Sequence, residues 1–280
     1  MKKTLIALAT LGVVGAASAQ VSISGAVAFA VQNTMDDTSA EFDLSDGDIN
    51  FSAKEDLGGG MSISASTSIS NEGMRGNSTT ANNTTIGING GFGTIAYVNV
   101  LSGAAKMGSP SVEDDMSDVL GGYSTVNVFS YTTPELFSGF KGTLEWAAND
   151  ADRMKVSGTP TFIGRYNAGP LGVYIDNGGE SKVWDVRVNY DAGVAKVGVR
   201  VDKAKYQEFV ATIPMGAMTY AVYAGSFENN ARQASGFSAT YALSKQTSLS
   251  FGYLSAKASA SGINGGNGGN NYRLQLKKAF

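Results

Sequence analysis

From about residue 20 onward, apolar and polar residues alternate with a period of two, the pattern of strands whose two faces meet different surroundings. Between residues 61 and 70, Met61, Ile63, Ala65, Thr67 and Ile69 fall on one face and five serines on the other. Further along, Trp184, Val186, Val188 and Tyr190 alternate with Asp185, Arg187 and Asn189, and Leu249, Phe251 and Tyr253 with Ser248, Ser250 and Gly252. The same reading predicts sixteen strands near 21–32, 47–56, 61–70, 83–90, 93–100, 125–132, 140–148, 159–167, 171–177, 181–190, 194–203, 206–213, 217–227, 233–243, 246–257 and 270–280. Serine, glycine, asparagine and charged residues run continuously along the second face, which is too polar to pack against another sheet.

The connections add a second rhythm. Short ones (Leu57–Gly60, Gly91–Phe92, Ala168–Pro170, Asp191–Gly193, Pro214–Gly216, Ser244–Lys245) tend to alternate with long ones at 33–46, 71–82, 101–124, 149–158 and 258–269. The alternation breaks near 178–180 and 204–205, where the connections are short. An all-β fold with an even strand count, tight turns at one end and long loops at the other is expected of a sixteen-stranded antiparallel transmembrane barrel. Aromatic residues on the apolar parity (Phe29, Phe51, Trp146, Trp184, Tyr190, Tyr220, Tyr241, Phe251, Tyr253) would form its interfacial girdles.

Composition fits that reading and removes others. Mean hydropathy is −0.06, and beyond the first twenty residues no apolar run reaches the roughly 20 residues of a membrane helix. Cysteine and histidine are both absent, so disulfides, thiolate metal sites and Ser-His arrangements cannot be built, and no cofactor or metal is expected. A barrel enzyme is disfavoured for that reason. The Gly/Asn-rich 262–271 lacks the aspartates of calcium-binding repeats and reads as a loop.

Lys2 and Lys3 precede an apolar run from Leu5 to Ala16 and then Ala17-Ser18-Ala19, the layout of a signal peptide over residues 1–19, cut before Gln20. The expected mature barrel, residues 20–280, has 261 residues and a net charge of −5, which argues against a nucleic-acid partner. The alternative compatible with export is a soluble or surface β-sheet binding protein of the adhesin or lectin kind.

The last strand alternates Tyr272, Leu274 and Leu276 with Arg273, Gln275 and Lys277 and ends on Phe280. This resembles the closing strand of bacterial outer-membrane barrels, in which Tyr272 and Phe280 would be read by the barrel assembly machinery. KEDLGGGM (Lys54–Met61), NGGFGT (Asn89–Thr94) and YTTPELFSGFKG (Tyr131–Gly142) resemble the first three periplasmic hairpins of the general porins of Gram-negative outer membranes, especially the sixteen-stranded alphaproteobacterial type. The resemblance implies a homotrimer of water-filled barrels in outer-membrane lipid, passing small hydrophilic solutes and ions by passive diffusion. It also implies that the third long loop, 101–124, folds into the lumen and narrows it.

That loop carries Glu113, Asp114, Asp115 and Asp118, with Lys106 nearby. An acidic cluster in a narrow aqueous path favours cations, so a mildly cation-selective channel is expected. If Phe51, Leu144, Phe162, Val186, Val199 and Leu274 face lipid, then Lys54, Lys141, Arg165, Arg187, Lys196, Arg200 and Arg273 face the lumen. The opposite register would place those charges in hydrocarbon at about 2–4 kcal/mol each near the midplane. The resemblance also implies a basic wall facing the acidic loop, for which Lys54, Lys141 and Arg273 are the candidates; the other cations read as ordinary lumen charges paired with Glu145, Asp176, Asp185 and Asp202.

Overall fold

The computed structural model describes residues 20–33, 39–70, 80–102, 124–149, 155–156, 158–178, 184–203, 207–227, 232–257 and 269–280. Its strands are β1 (Gln20–Asn33), β2 (Glu41–Gly58), β3 (Met61–Ser70), β4 (Thr80–Gly90), β5 (Gly93–Ser102), β6 (Ser124–Thr132), β7 (Phe140–Asn149), β8 (Lys155–Val156) and β9 (Thr161–Ala168). They continue as β10 (Leu171–Asp176), β11 (Asp185–Asp191), β12 (Lys196–Asp202), β13 (Gln207–Met215), β14 (Met218–Phe227), β15 (Arg232–Ala242), β16 (Thr247–Lys257) and β17 (Gly269–Ala279). The two-residue β8 and the longer β9 both pair with β7 and act as one stave, so the sheet has sixteen staves.

Each stave pairs antiparallel with its sequence neighbours, and β17 returns to β1 from Ala26↔Ala279 to Asn33↔Tyr272. Phe280 adds one more rung: its N–H donates to the Gly25 carbonyl at 2.9 Å, and the Gly25 N–H donates back at 3.0 Å. The sheet is therefore a closed barrel, which leaves no unpaired edge.

Closure puts the apolar face outside. On β1, Val27, Phe29 and Val31 are exposed while Ala26, Ala28 and Ala30 are buried; Phe29 is 43% exposed and Ala28 0%. Val197, Val199, Val201, Phe209, Ile213, Val222, Phe237, Leu249, Phe251, Leu274 and Leu276 continue the exposed apolar surface around the barrel. In water such a surface would drive aggregation; against acyl chains it is the favoured contact. Aromatic residues rim it. Phe237, Tyr253 and Tyr272 are successive cross-strand partners with ring centroids 5.8 and 5.1 Å apart, and Phe129 lies 6.2 Å from Trp146. Beyond these rows, toward the ends of the strands that lead into the long connections, the outward side chains turn polar. Thr67 and Thr84 share a hydrogen bond of 3.1 Å, and Asn127 accepts from both Asn99 and Tyr97.

The connections segregate by end. The end carrying Gln20 and Phe280 has the tight turns, such as Gly169-Pro170 and Gly216-Ala217, where Gly169 and Gly216 take the left-handed backbone (φ 56° and 64°) that a two-residue hairpin requires. Among the described strands, β2 departs most from its expected extent. The period-two reading puts residues 41–46 in the first long connection. Instead β2 begins at Glu41 and pairs with β1 from Gln32 onward, with a bulge between Ala28 and Phe29. The bulge leaves Ser45 unpaired in the ladder, and its hydroxyl donates to the Ala28 carbonyl at 3.4 Å while accepting from Gln275 at 2.8 Å. The extra residue restores parity, so Phe42 faces outward and stacks on Phe29 at 6.0 Å. The long first-strand hairpin is therefore stable despite its polar composition.

Candidate functional site: a tiered charge wall in the barrel lining

Inward positions on β7 to β13 place ionisable side chains in two tiers. Lys141, Arg165, Tyr174, Arg187, Arg200 and Glu208 are successive cross-strand partners, forming one row around the lining. At about 4.8 Å per strand this row spans roughly 24 Å of wall. One rung nearer the long-loop end runs a second row: Thr143, Ile163, Asp176, Asp185 and Asp202. Glu145, the next inward residue on β7, pairs with Thr161 one rung higher still. Apart from Glu208, the carboxylates of this wall thus lie nearer the long-loop end than its cations.

The two halves of the basic row are held differently. Arg187 and Arg200 face each other directly, a repulsive pairing offset by Asp185. Arg187 Nε donates to Asp185 Oδ1 at 3.0 Å and its Nη2 to Oδ2 at 2.7 Å; Arg200 Nε and Nη2 both reach Oδ2, at 2.8 and 2.7 Å. All three side chains are about nine-tenths buried, so the triad is an inner brace of the wall. Lys141 and Arg165 have no carboxylate within ion-pair distance among the described residues. Arg165 is positioned instead by Thr143, whose hydroxyl accepts from Nη1 at 3.2 Å, and by Tyr174. The Tyr174 ring lies between two guanidiniums, 5.4 Å from Arg165 and 4.5 Å from Arg187, and screens one from the other through cation–π attraction. Its hydroxyl donates to Asp176 Oδ2 at 3.2 Å, and Asp176 Oδ1 accepts the Gly178 N–H at 2.6 Å.

The other basic residues lie elsewhere. Lys54 is exposed near the short-turn end, in a recess of about 350 Å³ lined by Gln20, Ser22, Ser52, Ser64, Ser66 and Thr85. Arg273 sits at the opposite end of the lining, where Nε donates to Gln32 Oε1 at 2.8 Å. Lys54, Lys141 and Arg273 are therefore separated around and along the barrel, and the structure does not bring them together as one wall. Lys196 reaches Asp191 at 3.1 Å beside the β11–β12 turn. There the Gly193 N–H and the Lys196 ammonium hold the Asp191 carboxyl below the ordinary carboxylate range. Lys106, Glu113, Asp114, Asp115 and Asp118 fall outside the described residues, as does the segment 1–19.

Sequence reading names the cations but not Tyr174 or the tiers. The signal is nonetheless in the chain: Tyr174-x-Asp176, Asp185-x-Arg187 and Arg200-x-Asp202 lie on three consecutive strands. Because alternate strands reverse direction, acid-last, acid-first and acid-last make the three carboxylates successive cross-strand partners.

A closed sixteen-stave barrel with a lipid-compatible exterior and a charged, hydroxyl-rich lining defines a transmembrane channel of the size that leaves an aqueous lumen. Residues 4–277 match the family described as Gram-negative porin, and the chain belongs to that family of outer-membrane channel proteins. Among proteins of curated function, none matches the chain. Solved structures similar to it include the anion-selective porin from Comamonas acidovorans (18% identity, TM-score 0.66, 94% of this chain and 100% of that one). A triple mutant of the Rhodopseudomonas blastica porin aligns at 14% identity and TM-score 0.69, over 93% of this chain and 100% of the other. The trimer form of in-vitro folded OmpT, an outer membrane protein of Vibrio cholerae, aligns at 11% identity and TM-score 0.68, over 94% and 100%. The protein resides in the outer membrane, and the exported soluble reading is set aside.

Proposed function

We propose that the protein is a homotrimeric diffusion channel for small hydrophilic solutes and ions, with a mild preference for cations. The observation that carries this reading is the continuous polar lining inside a lipid-facing closed sheet. Trimer assembly is supported by the likeness to OmpT, whose structure is described as a trimer form.

The sign of the preference rests on a difference. Along the tiered wall, Lys141, Arg165, Arg187 and Arg200 are close to balanced by Glu145, Asp176, Asp185, Asp202 and Glu208. Four carboxylates against one lysine in the loop after β5 then tip the net field toward cations. The similar Comamonas protein is named anion-selective, so the shared fold does not fix the sign; the side chains do. Residues 1–19 act as the cleaved export signal, and Tyr272 with Phe280 present the closing strand to the assembly machinery.

Planar-bilayer recording tests this directly. Stable, ohmic conductance steps are expected, with a reversal potential on the cation side in a salt gradient. Asp114→Asn combined with Asp115→Asn is expected to move that potential toward anions. An unchanged value removes the loop from the selectivity filter, and silent membranes overturn the channel itself.

A further inference from the structure

Strands β15, β16, β17 and β1 are consecutive in the closed sheet and hold no aspartate or glutamate, although the chain has 24 acidic residues. We propose that the short-turn end of this sector, at Lys245, Gln246 and Lys278, is a binding site for an anionic phospholipid of the periplasm-facing leaflet. The lysines and the amide take the headgroup phosphate, and the apolar residues above them take the acyl chains.

Lys278 supplies the first argument. On β17 it has the parity of Leu274 and Leu276, both exposed on the lipid-facing surface, and it pairs with Val27 and Thr247. A cation on that surface is tolerated where its ammonium reaches the polar interface and is costly where it does not. The contact that Lys278 makes gives its direction: Nζ donates to Gln246 Oε1 at 3.3 Å, in the turn that joins β15 to β16. Lys245, also exposed, precedes Gln246 in that turn. Two ammonium groups thus attend one turn at the membrane edge, and neither is paired with a carboxylate among the described residues. The Phe280 oxygen that could serve accepts the Gly25 N–H at 3.0 Å instead. With its oxygen taken by Lys278, the Gln246 side chain still has its amide nitrogen to donate.

The second argument is what lies above these donors. Leu276, Leu249 and Tyr241 are successive cross-strand partners exposed on the outer face, and Leu243 is exposed beside the turn. The site therefore has the polarity of an amphiphile, with phosphate at the rim and hydrocarbon toward the midplane. A free phosphate ion would meet the donors and leave the apolar row unused. The turn is also stapled in place. The Ser244 N–H donates to the Thr247 carbonyl at 3.0 Å, and the Ala279 N–H of β17 donates to the Gln246 carbonyl at 2.8 Å. Little ordering of the protein is then required when the lipid docks.

Native mass spectrometry of the folded protein in neutral detergent, titrated with phosphatidylglycerol, tests the proposal, with phosphatidylcholine as the lipid of no net charge. The wild type is expected to retain phosphatidylglycerol about 25-fold more tightly than phosphatidylcholine, about fivefold per lysine. Lys245→Gln/Lys278→Gln is expected to erase that difference, and Lys245→Arg/Lys278→Arg to keep it. Lys203→Gln/Lys257→Gln, the same change of charge at the long-loop end, is expected to leave it intact. Should the first pair fail to refold, Lys245→Gln alone, outside the ladder, is expected to weaken phosphatidylglycerol about fivefold. Equal retention of the two lipids, a difference that survives loss of Lys245 and Lys278, or an equal loss in the long-loop control overturns the site. Displacement of phosphatidylglycerol by inorganic phosphate at the same concentration would show that the apolar row contributes nothing, and overturns the lipid as its occupant.

Discussion

Asp185→Asn is expected to destabilise the barrel by about 3 kcal/mol, the lower end of the range for removing one partner of a buried charge group. Asp185 receives both Arg187 and Arg200 at 2.7–3.0 Å, and those two guanidiniums are direct partners across β11 and β12. With a neutral amide in its place, two buried cations face each other with much weaker compensation. Urea unfolding in detergent or lipid should show the midpoint falling with little change in slope. Because the change also removes a negative charge from the lining, the reversal potential of any surviving channel should move toward anions. Wild-type stability would show that water in the lumen already screens the pair and that the brace is ornamental.

Much of the architecture is written in local alternation. The strands from β3 to β17 have period-two faces, so parity alone orients Val186 and Arg187 or Leu274 and Arg273. The start of β2 is less legible, because Asp and Gly signal a turn and only the Ser45 bulge, a tertiary accommodation against β1, keeps the strand going. The lining is legible as chemistry but not as assembly. Any inward lysine or arginine reads alike in sequence, whereas the level of each around the barrel depends on accumulated register across many strands. For that reason Lys54 and Arg273, grouped with Lys141 on chemistry, lie at opposite ends of the lining.

Gly25→Ala is expected to impair closure, by about 3 kcal/mol at the upper end for overpacking. A Cβ added there would stand 2.3 Å from the Asp48 carbonyl oxygen and 2.7 Å from the Phe280 ring. The carbonyl belongs to the paired β2 backbone and cannot retreat without breaking the ladder. In detergent refolding without the assembly machinery, combining Gly25→Ala with Phe280→Ala separates the two contacts: the ring term is relieved and the carbonyl term stays, so only partial recovery is expected. Gly91→Ala, where an added Cβ meets nothing within 4 Å, is the matched control. Heat-dependent gel mobility reports the folded fraction. Indistinguishable folding of Gly25→Ala and Gly91→Ala would mean that the seam yields more readily than its geometry implies.

The pairing of β1 with β17 also sets the order of events in folding. Neighbouring staves elsewhere join residues close in the chain, whereas Ala26 meets Ala279. By loop-closure entropy, drawing together ends some 250 residues apart is about 3 kcal/mol harder than forming a hairpin of a dozen. The hairpins can therefore zip in succession into a curled, open ribbon, and the cylinder is completed last. The same join is the first place where thermal opening would begin.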